Sequence, residues 1–230
     1  MLRACLVISA CVVGILLARP VGAQGCPVEY GFQGSYNFSQ GSKSYVSVRR
    51  HKDIAASVVN KINEQLKARV GESFFKRLRF DYGSAHDFDD ARPLKANDGG
   101  RVDGYDFVFK FADRDKGLTA FYFKVVADSK GKLIDYLALP DIASDPQKAD
   151  LIPCKQALAI AAMNGFPVER SSIWFIYDWD AKAFVWDVHD RQPVDPDEPT
   201  FSIGIGTYRK IFIEAHTGKV LKIFKETIVV

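Results

Sequence analysis

Two glycine-centred hairpins constrain the fold of this chain more than any other feature of its sequence. In residues 208–224 (YRKIFIEAHTGKVLKIF), apolar and polar side chains alternate up to a turn that contains Gly218, and the alternation then resumes. Residues 123–135 (FKVVADSKGKLID) repeat this pattern around Gly131. Glycine adopts positive φ without steric cost, as a tight turn between antiparallel strands requires. Both stretches are therefore predicted to be strand–turn–strand units.

An ungapped alignment of the two hairpins places Gly131 on Gly218, 87 positions later, and Val126 on Ile213. A helical pattern precedes each hairpin. The order of a helix followed by strands therefore occurs twice along the chain, and it predicts an internal duplication.

The first helix is predicted over residues 53–70, from a cap at Asp53 to an end at Gly71. Its apolar side chains recur at helical spacing, at Ile54, Val58, Ile62 and Leu66. Such a stripe is more typical of a helix packed on a core than of a binding surface. The second helix, residues 154–165, is predicted to end at Gly165.

Apolar runs, most of them alternating, predict antiparallel strands after each helix. In the first unit, residues 53–138, they lie at 74–82, 105–112 and 118–127, with a long loop at 83–104 and a continuation of the hairpin at 132–138. In the second unit, residues 154–230, they lie at 172–179, 183–189, 207–214 and 219–229. The fold class is therefore α+β: two tandem units, each with one helix packed on an antiparallel sheet.

Two further segments complete the predicted organisation. Residues 139–153 are polar and contain three prolines, which favours a linker between the units. Residues 24–52 are rich in Gly, Ser and Gln without a sustained period. They are predicted to form a loosely ordered N-terminal arm that ends in a short strand at 45–48.

The first 23 residues have the pattern of a secretory signal peptide. Arg3 precedes an apolar run at residues 4–18, and small residues end at Ala23, the predicted cleavage point. The run is shorter than the roughly 20 residues of a membrane-spanning helix. An uncleaved anchor is the alternative. Cleavage predicts an exported protein, periplasmic or extracellular, and the rest of the chain has no second apolar run that would span a membrane.

Cleavage would leave two cysteines, Cys26 and Cys154, in an oxidising compartment. They are a candidate disulfide, although the sequence alone leaves both the paired and the unpaired state open. Cys26 also follows the cleavage region, where a lipoprotein would carry its lipid. Gln24 and the absence of a large aliphatic residue before Cys26 weigh against a lipid anchor.

Charge excludes one class of partner. The chain has 31 basic and 28 acidic residues, and so close a balance gives no long-range field for nucleic acid or an anionic membrane. No nucleic-acid partner is therefore expected.

Catalytic and metal-binding patterns are missing from the sequence. The four histidines, His51, His86, His189 and His216, show neither an i, i+4 pair nor the HExxH pattern of zinc proteases. The densest polar cluster begins at His86 and reads as a solvated loop. His189 and Asp190 are neighbours on a predicted strand, so their side chains should point to opposite faces. We therefore expect no enzymatic activity, no metal and no cofactor.

The aromatic residues of the second unit are the candidate binding residues: Trp174, Tyr177, Trp179 and Trp186. On the strand over 173–179, Tyr177 and Trp179 share one face and Trp174 lies on the other. One face should pack on the helix and the other should meet solvent or a partner. Core packing is the alternative for this set.

The second half of the chain resembles the PepSY domain family. The likeness rests on the small-residue helix at 153–161 (PCKQALAIA), on the strands that contain Trp179 and Trp186, and on the closing turn at 213–221 (IEAHTGKVL). It covers residues 151–226, and residues 53–135 resemble a more divergent copy. The resemblance implies a cystatin-like fold, in which a helix packs on a curved antiparallel sheet. PepSY-type domains occur in exported bacterial proteins and in protease propeptides, and the family brings no catalytic residues.

These observations predict an exported, non-enzymatic binding protein of two cystatin-like units. Its expected partner is a protein of the envelope or the medium, and restraint of a peptidase is the most concrete form of that function. The alternatives are a small-molecule carrier, a structural envelope component, and an enzyme centred on His86 or His189.

Overall fold

The computed structural model describes residues 26, 28–33, 44–50, 54–87, 104–169, 171–192 and 205–229. The N-terminal arm contains β1 (Val28–Gln33) and β2 (Ser44–Val48), and the first unit contains α1 (Ala56–Phe75), β3 (Arg79–Asp87), β4 (Gly104–Asp113) and β5 (Leu118–Asp128). The second unit contains α2 (Cys154–Met163), β6 (Ser172–Asp178), β7 (Ala183–Gln192), β8 (Ile205–Glu214) and β9 (Val220–Val229). Short 3₁₀ turns lie at Arg114–Lys116 and Pro146–Ala149.

The strands form two sheets. The first has the order β1-β5-β4-β3-β2 and the second the order β6-β7-β8-β9. Every neighbouring pair is antiparallel except β1 and β5, which run parallel. The predicted α+β class, with two tandem units of a helix and an antiparallel sheet, is confirmed.

Helix α1 extends further than its sequence pattern predicted. Its buried side chains recur every fourth position, at Val58, Ile62, Leu66, Val70 and Phe74. Gly71 leaves helical geometry, with φ of 74°, but the helix continues past this kink to Phe75. The predicted strand at 74–82 is therefore wrong in its first residues, because Phe74 completes the apolar stripe of the helix. Its ring lies 5.0 Å from that of Phe111.

Strand β3 reaches Asp87, so the loop predicted from residue 83 is wrong at its start. Gly83 lies inside the strand, and the position requires glycine because a Cβ atom there would come 2.5 Å from the ring of Phe107 on β4. His86, predicted in a solvated loop, is instead a buried strand residue. Asp87 ends the strand, and residues 88–103, which include the last three positions of that polar cluster, lie outside the described residues.

The N-terminal arm contributes two strands. β2 confirms the short strand that the sequence predicted near residue 45. The sequence did not predict β1, which pairs with the edge of β5 and also lies beside β6 of the second sheet. The first strand of the chain therefore sits at the junction of the two units.

The two units share one core. The ring of Phe121 on β5 lies 5.5 Å from Phe175 and 5.3 Å from Phe184, both of the second sheet. The segment predicted as a polar linker also packs inside, because Leu139 and Leu151 are fully buried. The units are thus joined by aromatic and aliphatic packing as well as by the chain.

The two hairpins differ by one residue. The first closes with Asp128 N–H donating to the carbonyl of Lys132, and the second with Glu214 N–H donating to that of Lys219. The second turn is longer, so the strands before the turns match at a separation of 86 residues, as between Asp128 and Glu214.

This difference corrects the ungapped alignment. Ala127 of the first unit corresponds to Ile213, since both are core residues that pair with the residue after the turn. Val126, aligned with Ile213 by sequence, lies on the opposite face of its sheet. A shift of one residue reverses the face of every side chain in a strand. After Gly131, only Leu133 makes a bridge, so the predicted continuation at 132–138 is not a strand.

Candidate functional site

The structure separates the four aromatic residues that the sequence grouped as binding candidates. Trp186 is a core residue whose Nε1 donates to the carbonyl of Ile152 at 3.2 Å. Tyr177 is buried on the same face, and Trp179 follows it with 43% of its surface exposed. Trp174 lies on the outer face of the second sheet. Only Tyr177 and Trp179 are brought together, with ring centroids 4.9 Å apart at 90°.

These two rings line a groove of about 370 Å³ between the units. Helix α1 supplies Arg69, the segment after β5 supplies Asp135, Tyr136 and Leu137, and the second unit supplies Tyr177, Trp179 and Lys182. We call this the interunit groove. It depends on both units, which is why a pattern within one strand could not reveal it.

Two aromatic side chains of the interunit groove are open to solvent. Tyr136 is 84% exposed and Trp179 is 43% exposed. Large aromatic groups that remain at the surface beside a concave site provide apolar area for a partner, and each keeps a polar atom for hydrogen bonding. Trp179 was among the residues predicted to bind, whereas Tyr136 was not, because it lies in a segment without periodicity.

Arg69 is held in a fixed orientation at the groove. Its Nε and Nη2 atoms donate to the carbonyl oxygen of Leu139 at 3.0 and 2.8 Å. Burial raises the pKa of the Tyr177 hydroxyl, and the charge and hydrogen bond of Arg69 oppose that rise. Arg69 and Tyr177 therefore act as one polar unit in the groove wall.

Lys182 supplies a second cation and has an unusual backbone. Its φ of 51° lies in the left-handed region, which costs a non-glycine residue roughly 1–2 kcal/mol. It follows the tip of the β6–β7 turn, so this conformation closes the hairpin and also places the residue at the groove.

A buried polar pair lies elsewhere, on the outer face of the second sheet. His189 Nε2 is 2.7 Å from Asp187 Oδ2, and the ring of Trp174 lies 4.5 Å from the imidazole. Asp190, the chain neighbour of His189, is near Arg209 at 4.0 Å. Side chains alternate along a strand, so His189 and Asp190 point to opposite faces of the sheet. By the same rule, Asp187 lies two residues before His189 and shares its face. The separation of His189 from Asp190 was predicted from the sequence, and the contact of His189 with Asp187 was not.

The first sheet has a related cluster at the matching position. Asp106 Oδ2 lies 3.1 Å from Lys124 Nζ and 3.5 Å from His86 Nε2, and all three side chains are buried. Asp106 is paired with Val126, as Asp187 is paired with Phe212. Val126 and Phe212 are 86 residues apart and therefore equivalent, so the aspartates that pair with them occupy equivalent places in the two sheets. Lys124 and Lys210, also 86 residues apart, are equivalent in the same way.

These clusters are inside the protein and do not form an open catalytic site. His189 and Asp187 are each 4% exposed, so a substrate does not reach them in this conformation. Among the described residues, no three His, Cys, Asp or Glu side chains are grouped so that they could hold a metal ion. Neither described helix is long and apolar enough to cross a membrane.

Cys26 and Cys154 are joined in a disulfide, with their Cα atoms 6.3 Å apart. The bond connects Cys26, two residues before β1, to the first residue of α2, and therefore links the edge of the first sheet to the second unit. The Cys26 sulfur is occupied, so it is not available to carry a lipid as a thioether.

Comparison with known proteins finds no matching family model, no matching curated protein and no matching solved structure. The PepSY resemblance therefore stays a prediction that rests on the residues given above, and the site is interpreted from its own geometry.

Proposed function

We propose that the protein is an exported, non-enzymatic binding protein that holds a segment of a partner protein in the interunit groove. The observation that carries this proposal is the position of Trp179 and Tyr136, two exposed aromatic side chains on a concave site. Aromatic residues are enriched in protein interfaces because they bury a large area at a small cost in side-chain entropy. Export is supported by the N-terminal pattern and by the disulfide.

A peptide segment suits the mixed chemistry of this groove. Tyr136 and Trp179 offer apolar area, while Arg69, Lys182 and Asp135 offer both signs of charge. The hydrogen bonds of Arg69 to Leu139 hold its guanidinium in place before a partner arrives, which lowers the entropy lost on binding. Peptidase restraint is the most concrete form of this function, because PepSY-type domains occur in protease propeptides and a peptidase surface loop would supply such a segment.

Site-specific crosslinking tests the proposal. Benzoylphenylalanine is incorporated either at position 136 or at position 163, because Tyr136 and Met163 are 84% and 79% exposed but only Tyr136 lines the groove. Each protein is expressed with its natural leader, irradiated in cells and analysed by mass spectrometry. We expect a discrete protein captured from position 136 only, and we expect Trp179→Ala to suppress that capture.

The same experiment can overturn the proposal. Capture of the same proteins from both positions, or capture that is unchanged in Trp179→Ala, would show that the groove is not the binding site. A captured peptidase is then assayed with the purified protein. If the protein inhibits the peptidase and Trp179→Ala inhibits it less, restraint is supported. If the peptidase hydrolyses its substrate equally well with and without the protein, the function is binding alone.

A small-molecule carrier is the second candidate, because about 370 Å³ lies within the usual range of ligand pockets, roughly 300–1,000 Å³. Native mass spectrometry of the purified protein separates the two functions. A bound small molecule that is lost in Trp179→Ala would favour the carrier.

A further inference from the structure

A second groove, of about 580 Å³, lies near the β4–β5 end of the first sheet and has a cationic lining. Its basic residues come from four places: Lys76 and Arg77 from the turn that follows α1, Arg79 from β3, Lys110 from β4, and Arg114 from the 3₁₀ turn. No carboxylate of the described residues lines it. We call it the basic groove. It is separate from the interunit groove and does not depend on the function proposed there.

Two of the five cations are neutralised by carboxylates outside the lining. Lys110 Nζ lies 2.5 Å from Asp81 Oδ1, and Arg77 Nη2 lies 2.9 Å from Asp113 Oδ2. Arg77 also lies over the ring of Phe74, 4.9 Å from its centroid, and is therefore part of the packing. These contacts assign Arg77 and Lys110 a role in holding the groove together.

The other three cations, Lys76, Arg79 and Arg114, have no such compensation. Within the described parts of the chain, no carboxylate lies within ion-pair distance of any of them. The whole sequence is close to neutral, with 31 basic and 28 acidic residues. Three uncompensated charges in one concavity are thus a local concentration, and a concave wall of low dielectric constant strengthens their field.

Arg79 is arranged to accept a ligand. Its Nη1 atom donates to the carbonyl oxygens of Lys76 at 2.8 Å and Leu78 at 3.2 Å. A guanidinium carries five N–H donors. The bonds from Nη1 fix the group and leave the donors on Nε and Nη2 for a ligand, so little ordering is required on binding.

We propose that the basic groove binds a compact anion with several phosphate groups. Guanidinium groups match phosphate oxygens in geometry and charge, and they form shorter and stronger hydrogen bonds with them than neutral donors do. Three positive charges within one groove favour a ligand with three or more negative charges close together. Such groups occur on free oligophosphates and on phosphorylated envelope molecules, and the shared chemistry is the phosphate cluster.

Isothermal titration with inorganic tripolyphosphate tests this proposal. At low salt, about 50 mM NaCl, we expect saturable binding by the disulfide-bonded protein, with affinity that falls as salt rises because the ions screen the charges. Arg79→Gln and Arg114→Gln should each weaken binding about tenfold, the effect of losing one charge-assisted hydrogen bond. Lys155→Gln, which alters an exposed lysine on α2, is the matched control and should bind like the wild type.

Three results would overturn the proposal. The first is an absence of binding at about 1 mM tripolyphosphate, a concentration that detects even weak sites. The second is equal weakening in the control and in the Arg79 and Arg114 variants. The third is binding to phosphatidylglycerol vesicles without binding to tripolyphosphate, which would indicate a general electrostatic surface. The melting temperature of each variant confirms that it is folded, and Arg79→Lys, which restores the charge, should recover part of the affinity.

Discussion

Asp187 and His189 lie on the same face of β7, with Oδ2 and Nε2 2.7 Å apart and both side chains buried. The first sheet has its counterpart in Asp106, which contacts Lys124 at 3.1 Å. The two aspartates occupy equivalent positions but have different partners. The Asp106 carboxylate lies close to two buried nitrogen atoms, those of Lys124 and His86, whereas the Asp187 carboxylate lies close to His189. Loss of the carboxylate should therefore cost more in the first sheet.

We predict that Asp106→Asn lowers the free energy of unfolding by about 3–5 kcal/mol, because it leaves the Lys124 ammonium buried without a counter-charge. Asp187→Asn should cost about 1–3 kcal/mol, the price of one impaired buried hydrogen bond. Urea denaturation at neutral pH measures both. Asp150→Asn is the control, since the Asp150 side chain is 87% exposed, and it should change stability little. Equal losses in the two buried variants would contradict the difference in partners.

Replacement of Arg69 should change the titration of Tyr177. Burial raises the pKa of Tyr177, and Arg69 lowers it through its charge and hydrogen bond. Arg69→Gln should therefore raise this pKa further, and Arg69→Lys should raise it less because the charge remains. The absorbance of tyrosinate is followed with pH, and the curve of the same protein carrying Tyr177→Phe is subtracted. A lower pKa in Arg69→Gln would show that Arg69 does not act on this hydroxyl.

The same shift predicts a loss of stability at alkaline pH. The folded pKa of Tyr177 is higher than its ordinary value of 10.0. Its contribution is therefore complete below pH 10 and is lost as the pH rises through the folded pKa. Tyr177→Phe has no group to ionise, so its urea midpoint should fall less steeply over this range. Parallel curves for the two proteins would contradict the assignment.

Reduction of the disulfide should destabilise the protein strongly. Cys26 and Cys154 are separated by 128 residues, and closing so long a loop removes about 4–5 kcal/mol of entropy from the unfolded state in the chain-entropy treatment. Cys26→Ser combined with Cys154→Ser should show a loss of this order in urea denaturation. Addition of a reductant should move the wild-type midpoint toward that of the double variant and leave the variant unchanged. A wild-type midpoint that does not respond to reductant would contradict the prediction.

Three glycines with positive φ allow the cost of backbone strain to be separated from the cost of crowding. At Gly165, φ is 79° and a Cβ atom would meet no other atom within 4 Å. At Gly218, a Cβ would lie 3.0 Å from the mobile end of Ile160, and at Gly131 it would lie 2.8 Å from the backbone oxygen of Val58. Alanine should therefore cost about 1–2 kcal/mol at Gly165 from strain alone, slightly more at Gly218, and most at Gly131. Thermal unfolding gives the order, and a smallest loss at Gly131 would contradict it.

The repeated glycines were the part of the fold that the sequence could predict best. Gly131 and Gly218 allow a backbone conformation that other residues resist, and their sequence signal is local. Aligning the glycines nevertheless gave the wrong face for the strand residues. The second turn is one residue longer, so the glycines still align while Val126 and Ile213 lie on opposite faces of their sheets. Turn length depends on hydrogen bonds between strands, which a sequence does not display.

The limits of prediction at the candidate site have the same origin. Trp179 could be predicted because the alternation within a single strand, residues 173–179, is enough to single out an aromatic residue at its end. Tyr136 and Arg69 could not be grouped with Trp179, because they lie 43 and 110 residues before it in the chain. The packing of the shared core brings them to the same groove. The pair of Asp187 and His189, by contrast, was accessible to strand periodicity and required only that residues i and i+2 be compared.

The position of β1 has a consequence for the order in which this protein can form. β1 begins at Val28, yet its parallel partner β5 begins at Leu118, and the disulfide beside it needs Cys154. During synthesis, β1 must therefore wait until β2, β3, β4 and β5 have all been made before it can pair with β5. Contacts between residues so far apart slow folding. The first strand to be made is thus held in place only after β5 and the start of α2 have been made, and its cross-link then ties it to the second unit.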